Sequence, residues 1–185
     1  ISKQITAQRK RMAPRISKTI ITNCQLNKLK LKSLTNFPIK YNLNKYMISF
    51  EELKPENINI VTQLMVDFYA IDNYPINEEI TKRNFDYFIN HPELGRVFEI
   101  RYEKEIVGYI LFATLFSFEF GGTIAFLDEL YISDTMRGKG LGKEAMKFAK
   151  QFAKDQNYKV LYLEIEPHNV KAQELYKKSD FNMHH

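Results

Sequence analysis

The chain has 185 residues and a mass of 21.9 kDa, and 44% of it is hydrophobic, which suffices for one compact domain with a buried core and excludes wholesale disorder. Its single cysteine, Cys24, excludes an internal disulfide and a thiolate metal cluster, and no apolar run reaches the ~18 residues that a spanning helix needs. The formal charge of +5 is unevenly spread: residues 1–46 hold 11 of the 27 Lys and Arg and none of the 22 Asp and Glu, leaving 16 against 22, a net of −6, from Met47 onward. The pI near 9.1 therefore belongs to the first part of the chain, and reading a nucleic-acid binder from it would average two unlike regions.

Residues 1–46, with QRKRMAPR and NKLKLKSLTNFPIKYNLNKY, show no sustained helical or strand period. They read as a basic, non-catalytic arm or an upstream extension, with residues 47–185 as the folded domain. A transit-type leader and a nucleic-acid or membrane tether are the competing accounts. The upstream-extension account is favoured because a self-contained pattern begins at Met47.

From there MISFEEL alternates as a strand, and Pro55-Glu56-Asn57 opens a helix carrying Ile60, Leu64, Met65 and Phe68. A second helix is predicted from Glu78 to Asn90, stopped by His91-Pro92. RVFEIRYE, IVGYILFATLFSF and TIAFLDELYIS follow as three strands joined by short turns, an antiparallel meander. After a glycine loop come a helix near Gly140 to Gln156, the strand KVLYLEIE, a helix from Asn169 to Lys178 and the start of a strand at Phe181. This order predicts an α+β fold, in an α/β three-layer arrangement, with a mixed sheet of about six strands and about four flanking helices. The sheet is mostly antiparallel, with TIAFLDELYIS and KVLYLEIE as a parallel pair joined by a helical crossover. The chain ends four residues past Phe181, which leaves the expected last strand short or missing.

The stretch MRGKGLG, Met136 to Gly142, stands between a strand and a helix start. Such a turn leaves several backbone N–H groups unpaired beside the positive end of the helix dipole, which is a cradle for an anion such as a diphosphate. Glycines at 138, 140 and 142 remove Cβ atoms from the approach, and Arg137 and Lys139 add positive charge. No register fits the Walker pattern, and the dinucleotide pattern counted from Gly138 and Gly140 puts Lys143 in its third glycine slot.

The run Arg137-Gly138-Lys139-Gly140-Leu141-Gly142 resembles the Arg/Gln-x-x-Gly-x-Gly/Ala loop of the GNAT superfamily of acyl-CoA-dependent N-acyltransferases. FLDELYIS and KVLYLEIE resemble that family's fourth and fifth strands, and Asn169 with the segment Lys171 to Phe181 resembles its Asn, following helix and Tyr-x-x-x-Gly-Phe end. Asp180 departs from the usual Gly there, a residue that tolerates the left-handed region better than most. The resemblance implies an acetyl-CoA-dependent N-acetyltransferase with acetyl-CoA as co-substrate. It implies cofactor contacts at Leu130, Tyr131 and Ile132 along the strand, at Arg137, Gly138, Lys139, Gly140, Leu141 and Gly142 in the loop, and at Asn169.

For catalysis it implies a carboxylate at Asp128, with Glu129 second, to take or bind the amine's proton, and Tyr176 as the acid for the departing thiolate. Strand alternation sends Asp128 and Glu129 to opposite faces, so only one would meet the acceptor. His168 is weighed as a base and set below them, and the four histidines show no metal spacing, so no metal is expected. The helical stripe Lys143, Lys147, Lys150 and Lys154 reads as a solvated face. The resemblance implies that Asp67 to Tyr74 help wall the acceptor cleft, with Phe116, Phe118, Glu119 and Phe120 flanking the meander turn opposite, and acids among aromatics there suggest a small cationic amine such as a polyamine or aminoglycoside. Protein lysine or N-terminal acetylation and a non-catalytic CoA-binding module are the alternatives. The expected setting is cytoplasmic, without nucleic-acid or membrane partners and with room for a homodimer.

Overall fold

In a computed structural model that describes residues 18–22 and 48–183, the backbone forms one seven-stranded sheet and four helices. In chain order these are β1 (Lys18–Thr22), β2 (Ile48–Glu52), α1 (Ile58–Ile71), α2 (Glu78–Ile89), β3 (Gly95–Tyr102), β4 (Glu105–Ser117), β5 (Gly122–Ile132), α3 (Leu141–Asp155), β6 (Leu161–Ile165), α4 (Val170–Lys177) and β7 (Asn182–Met183). Short 3₁₀ turns at Pro55–Asn57 and Asp134–Met136 precede α1 and the glycine loop. The strand order is β2-β3-β4-β5-β6-β1-β7, antiparallel throughout except for the β5/β6 pair. The fold is the α+β class expected, with its meander and its parallel crossover.

The seventh strand is the departure from the expected count of about six. β1 runs antiparallel to β6, from Lys18 opposite Ile165 to Thr22 opposite Leu161, and meets β7 through Ile20 opposite Met183. Five residues of the basic segment therefore belong to the sheet, although the sequence there shows no sustained strand period. Cys24, His184, His185 and the rest of residues 1–47 lie outside the described residues.

Two apolar clusters cover the two faces of the sheet. On one, α3 presents Leu141, Ala145, Met146, Phe148, Ala149, Phe152 and Ala153, a stripe at helical spacing, while Lys143, Lys147 and Lys154 face outward. Phe148 stacks on Phe50 at 4.4 Å between ring centroids, and Phe98 meets Phe148 and Phe152 edge-on at 4.8 and 5.0 Å. Each such side chain fully buried contributes roughly 1.5–3 kcal/mol. On the other face, α1 buries Ile58, Val61, Leu64 and Met65 against Val97, Tyr109 and Tyr131, with Phe85 from α2. Ile60, expected on that inner stripe, instead lies half-exposed on the outer side of α1.

The entry to α1 is fixed by a buried charge. Glu99 on β3 is fully buried and accepts from Asn57 Nδ2 at 2.7 Å, Lys54 N at 3.4 Å and Arg101 Nε at 2.8 Å. A buried carboxylate left without such partners would be strongly destabilising, so this cluster ties the 3₁₀ turn to β3, one strand in from the edge of the sheet.

Candidate active site

The helix starts differ in a way that matters for the glycine loop. Asn77 caps α2 by accepting from Ile80 N at 3.0 Å, and Asn169 caps α4 by accepting from Ala172 N at 3.1 Å. The corresponding residue for α3 is Gly140, at φ 83, which has no side chain to offer. Consequently, among the described residues, no acceptor meets the N–H groups of Gly138, Lys139, Gly140, Leu141, Gly142 or Lys143, while Glu144 N donates to Gly140 O at 3.2 Å as the helix begins. Gly138, at φ 79, and Gly140 would present added Cβ atoms to open space, so their glycine identity answers to backbone conformation and approach from outside, not to crowding by the protein.

Arg137 does not share this opening, because its N–H donates to Asp134 O at 3.3 Å. The Arg137 guanidinium turns back onto Asp134 at 2.7 Å, donates to Ile132 O at 3.3 Å and lies 5.8 Å from the Tyr131 ring centre. Lys139 Nζ lies 3.3 Å from Met136 Sδ and 5.3 Å from the Tyr102 ring centre. Leu141 is buried, and Gly142 packs where a Cβ would sit 3.1 Å from Leu175 Cδ2, so the loop is seated on α4.

Below the loop the sheet opens. β5 pairs with β6 only from Ala125 to Leu127, opposite Leu161 to Leu163, whereas its pairing with β4 continues to Ile132. Ser133 N donates to Val107 O at 2.9 Å, and alternation then turns the N–H groups of Leu130 and Ile132 away from β4, toward the diverging β6. Tyr131, between them, faces inward: it is buried, its ring lies 5.5 Å from Phe68 and 6.3 Å from Tyr109, and burial is the first cause raising its pKa.

Asp128 and Glu129 do not take opposite faces. The β4 register jumps from Leu111 opposite Glu129 to Phe112 opposite Leu127, so Asp128 is the extra residue of a β-bulge. Leu127 and Leu130 both pack on the α3 side, and the two carboxylates between them project from the α1 side. Asp128 is exposed, while Glu129 is partly buried. Tyr69 of α1 donates to Glu129 Oε1 at 2.7 Å and Tyr109 of β4 donates to Oε2 at 2.6 Å. Burial first, and then the Glu129 charge, push the Tyr109 phenol well above its ordinary pKa.

The loop after α1 reaches across the opening. Tyr74 donates to Glu166 at 3.5 Å, and His168 Nε2 lies 3.1 Å from Asp72 Oδ1. Phe116 and Phe118, by contrast, are exposed at the distal β4–β5 turn, their rings 5.3 Å apart, and are not part of this wall.

Tyr176 is the one buried residue of α4 and belongs to the α3-side cluster, with Phe181 at 5.9 Å. Burial pushes its phenol up to about 12. Asp180 takes φ 61, and Phe181 N donates to Tyr176 O at 3.1 Å, closing the end of α4. Among the described residues no three His, Cys, Asp or Glu are gathered to hold a metal ion, and no helix is long and apolar enough to cross a membrane.

The sequence places Tyr69 in the expected wall of the acceptor cleft but not at Glu129, and it does not single out Tyr109. Laying GYILFA antiparallel on FLDELYI puts Tyr109 opposite Tyr131 and diagonal to Glu129, a signal available for one of them. Nothing local ties Tyr69 to Glu129, which is 60 residues away.

The profile of the acetyltransferase (GNAT) family matches residues 59–181, more than half of the chain. No curated protein matches. Among solved structures, an integron cassette protein from the mobile metagenome of Cole Harbour Salt Marsh is 28% identical, over 72% of this chain and 82% of its own, with a TM-score of 0.65. An aminoglycoside N-acetyltransferase in complex with CoA shares the fold at 9% identity, over 78% of this chain and 94% of its own, with a TM-score of 0.66. A ribosomal-protein-alanine N-acetyltransferase from Brucella melitensis biovar Abortus 2308 does so at 16% identity, over 71% and 90%, with a TM-score of 0.60.

Proposed function

The chain belongs to the acetyltransferase (GNAT) family, and from that premise we propose that it moves the acetyl group of acetyl-CoA to a primary amine of a small, cationic acceptor by direct attack in a ternary complex. The observation that carries this reading is the run of open amides from Gly138 to Lys143 at the positive end of α3, which fits a diphosphate. Acetyl-CoA would supply the activated thioester carbonyl. Gly138, Lys139, Gly140, Leu141 and Gly142 would hold its diphosphate, with Arg137 adding charge, and the open edge of Leu130 and Ile132 would hold its pantetheine arm, with Asn169 beside it.

Two carboxylates on the α1 face, Asp128 and Glu129, supply the counter-charge for an ammonium and an acceptor for its proton. Tyr176, on the other face, keeps its proton throughout the neutral range and so acts as the acid for the departing sulfur. The two proton sites thus lie on opposite faces of the sheet, whose strands β5 and β6 diverge past Leu127. We place the transferase in residues 47–185, with β1 as the arm's contribution to the sheet, and its setting in the cytoplasm.

Thiol release from acetyl-CoA over a panel of small amines and peptide N-termini tests the reading. Saturable release with small cationic amines is expected. No release with any member, together with no acetyl-CoA-induced rise in Tm, contradicts it.

A further inference from the structure

Glu129 is held more tightly than a carboxylate used only as a proton acceptor needs to be. Both of its oxygens accept a phenol hydrogen, from Tyr69 at the C-terminal end of α1 and from Tyr109 in the middle of β4. A phenol can only donate to an ionised carboxylate, and donors of this kind favour the charged form. The ring of Tyr69 continues into Phe68 at 6.0 Å and Tyr74 at 6.2 Å, and Phe68 leads to Tyr131, so aromatic rings wall the carboxylate on the side from which an ammonium would come. Asp128, one residue earlier in the bulge, is exposed, where water can carry a proton away.

We propose that Tyr69 and Tyr109 are positioning residues that lock Glu129 as the anionic anchor for the acceptor's ammonium, which leaves proton removal to Asp128. This rests on the acetyltransferase reading above and divides two roles that the family resemblance leaves shared. The anchor fixes the amine beside the strand opening, and the neighbouring carboxylate takes the N–H proton directly or through water, so the charge on Glu129 does not change during turnover. Titratable groups at Glu129 include Tyr69 from α1, Tyr109 from β4 and its neighbour Asp128, and Tyr131 of β5 acts on Tyr109 and is itself acted on by Asp134, Asp67 and Arg137.

The test reads the carboxylate directly. In the full chain carrying ¹³C-labelled glutamate carboxyls, with Glu129→Gln to assign the signal, the titration midpoint of Glu129 is expected to rise in Tyr69→Phe and in Tyr109→Phe, and furthest in the double variant. An unmoved midpoint overturns the proposal, whether or not any amine is a substrate. With the best amine of the panel, Tyr69→Phe is expected to raise the amine KM about tenfold, as for loss of a hydrogen bond to a charged group, with the acetyl-CoA KM unchanged. An amine KM that stays put, or both KM values rising together, overturns the anchoring role. Should Tyr109→Phe fail to fold, Tyr69→Phe on the less buried residue carries both readouts. Absence of turnover with every amine would count against the acetyltransferase reading and leave the carboxyl titration to decide the clamp.

Discussion

The two faces of the sheet do different things with their aromatic rings. On the α3 side phenylalanines pack ring to ring, Phe50 on Phe148 and Phe98 against Phe112 and Phe152, beside two buried tyrosines, Tyr158 and Tyr176. On the α1 side Tyr69, Tyr109 and Tyr131 join Phe68, Phe85 and Phe88, and Tyr69 and Tyr109 end on one carboxylate. The first face holds a helix rigidly so that its open end stays in place, and the second holds charges. Damage to the phenylalanine packing should therefore appear as lost folding, and loss of the hydroxyls and carboxylates placed at the opening as lost turnover in a folded protein.

The largest expected effect breaks the apolar face. Phe148→Ala removes a ring buried between Phe50, Phe98 and Phe152 and should cost about 3–5 kcal/mol, read as a fall in Tm or in the denaturant midpoint. A loss well under that would mean that α3 is not seated by this packing.

Next comes the loop that α3 carries. Gly140→Val puts a β-branched residue at φ 83 and a side chain where the diphosphate would approach. The variant should lose roughly 1–2 kcal/mol of its own stability. More tellingly, it should lose the acetyl-CoA stabilisation, about 2.7 kcal/mol for the parent at a ligand concentration of 100 Kd. A thermal shift equal to the parent's would remove the loop from the binding site.

Tyr176→Phe sharpens the contrast between folding and turnover, because it removes one oxygen from a buried ring. It should lower kcat about 100-fold with little change in acetyl-CoA binding. The phenol also gives stability a pH dependence whose sign is fixed by its raised value of about 12 against an ordinary 10. Its contribution is complete below pH 10 and is lost as pH rises toward 12, because the unfolded chain ionises first. Tyr109, raised in the same direction, adds to this loss. Thermal melts above pH 10 should thus fall less steeply for Tyr176→Phe than for the parent.

The smallest effect lies at the end of α4. Asp180→Gly relieves a left-handed residue at φ 61 and should gain up to about 1 kcal/mol, measured by Tm, without changing kcat.

Much of this architecture could be read along the chain, and the parts that could not share a cause. The meander, the crossover and the glycine loop rest on local signals: alternation, turn residues and a helix start. β1 escaped because Lys-Thr-Ile-Ile-Thr becomes a strand only through partners at residues 161–165 and 182–183. The bulge at Asp128 escaped for a similar reason, since it exists only as a difference in register between two strands. It overturned the alternation argument that parted Asp128 from Glu129. That Tyr69 and Tyr109 share one carboxylate became visible once the α1 end and the β4 middle were brought together. By contrast, Gly138, Gly140 and Asp180 were legible because positive φ is a demand that a residue meets alone.

The most direct test follows the backbone amides of residues 138–143 by ¹H–¹⁵N correlation spectra of the full chain as acetyl-CoA is added. The largest shifts are predicted at Gly138, Lys139, Gly140, Leu141, Gly142 and Lys143, as open donors gain phosphate oxygens. Saturable binding that leaves these six amides unmoved would contradict the account.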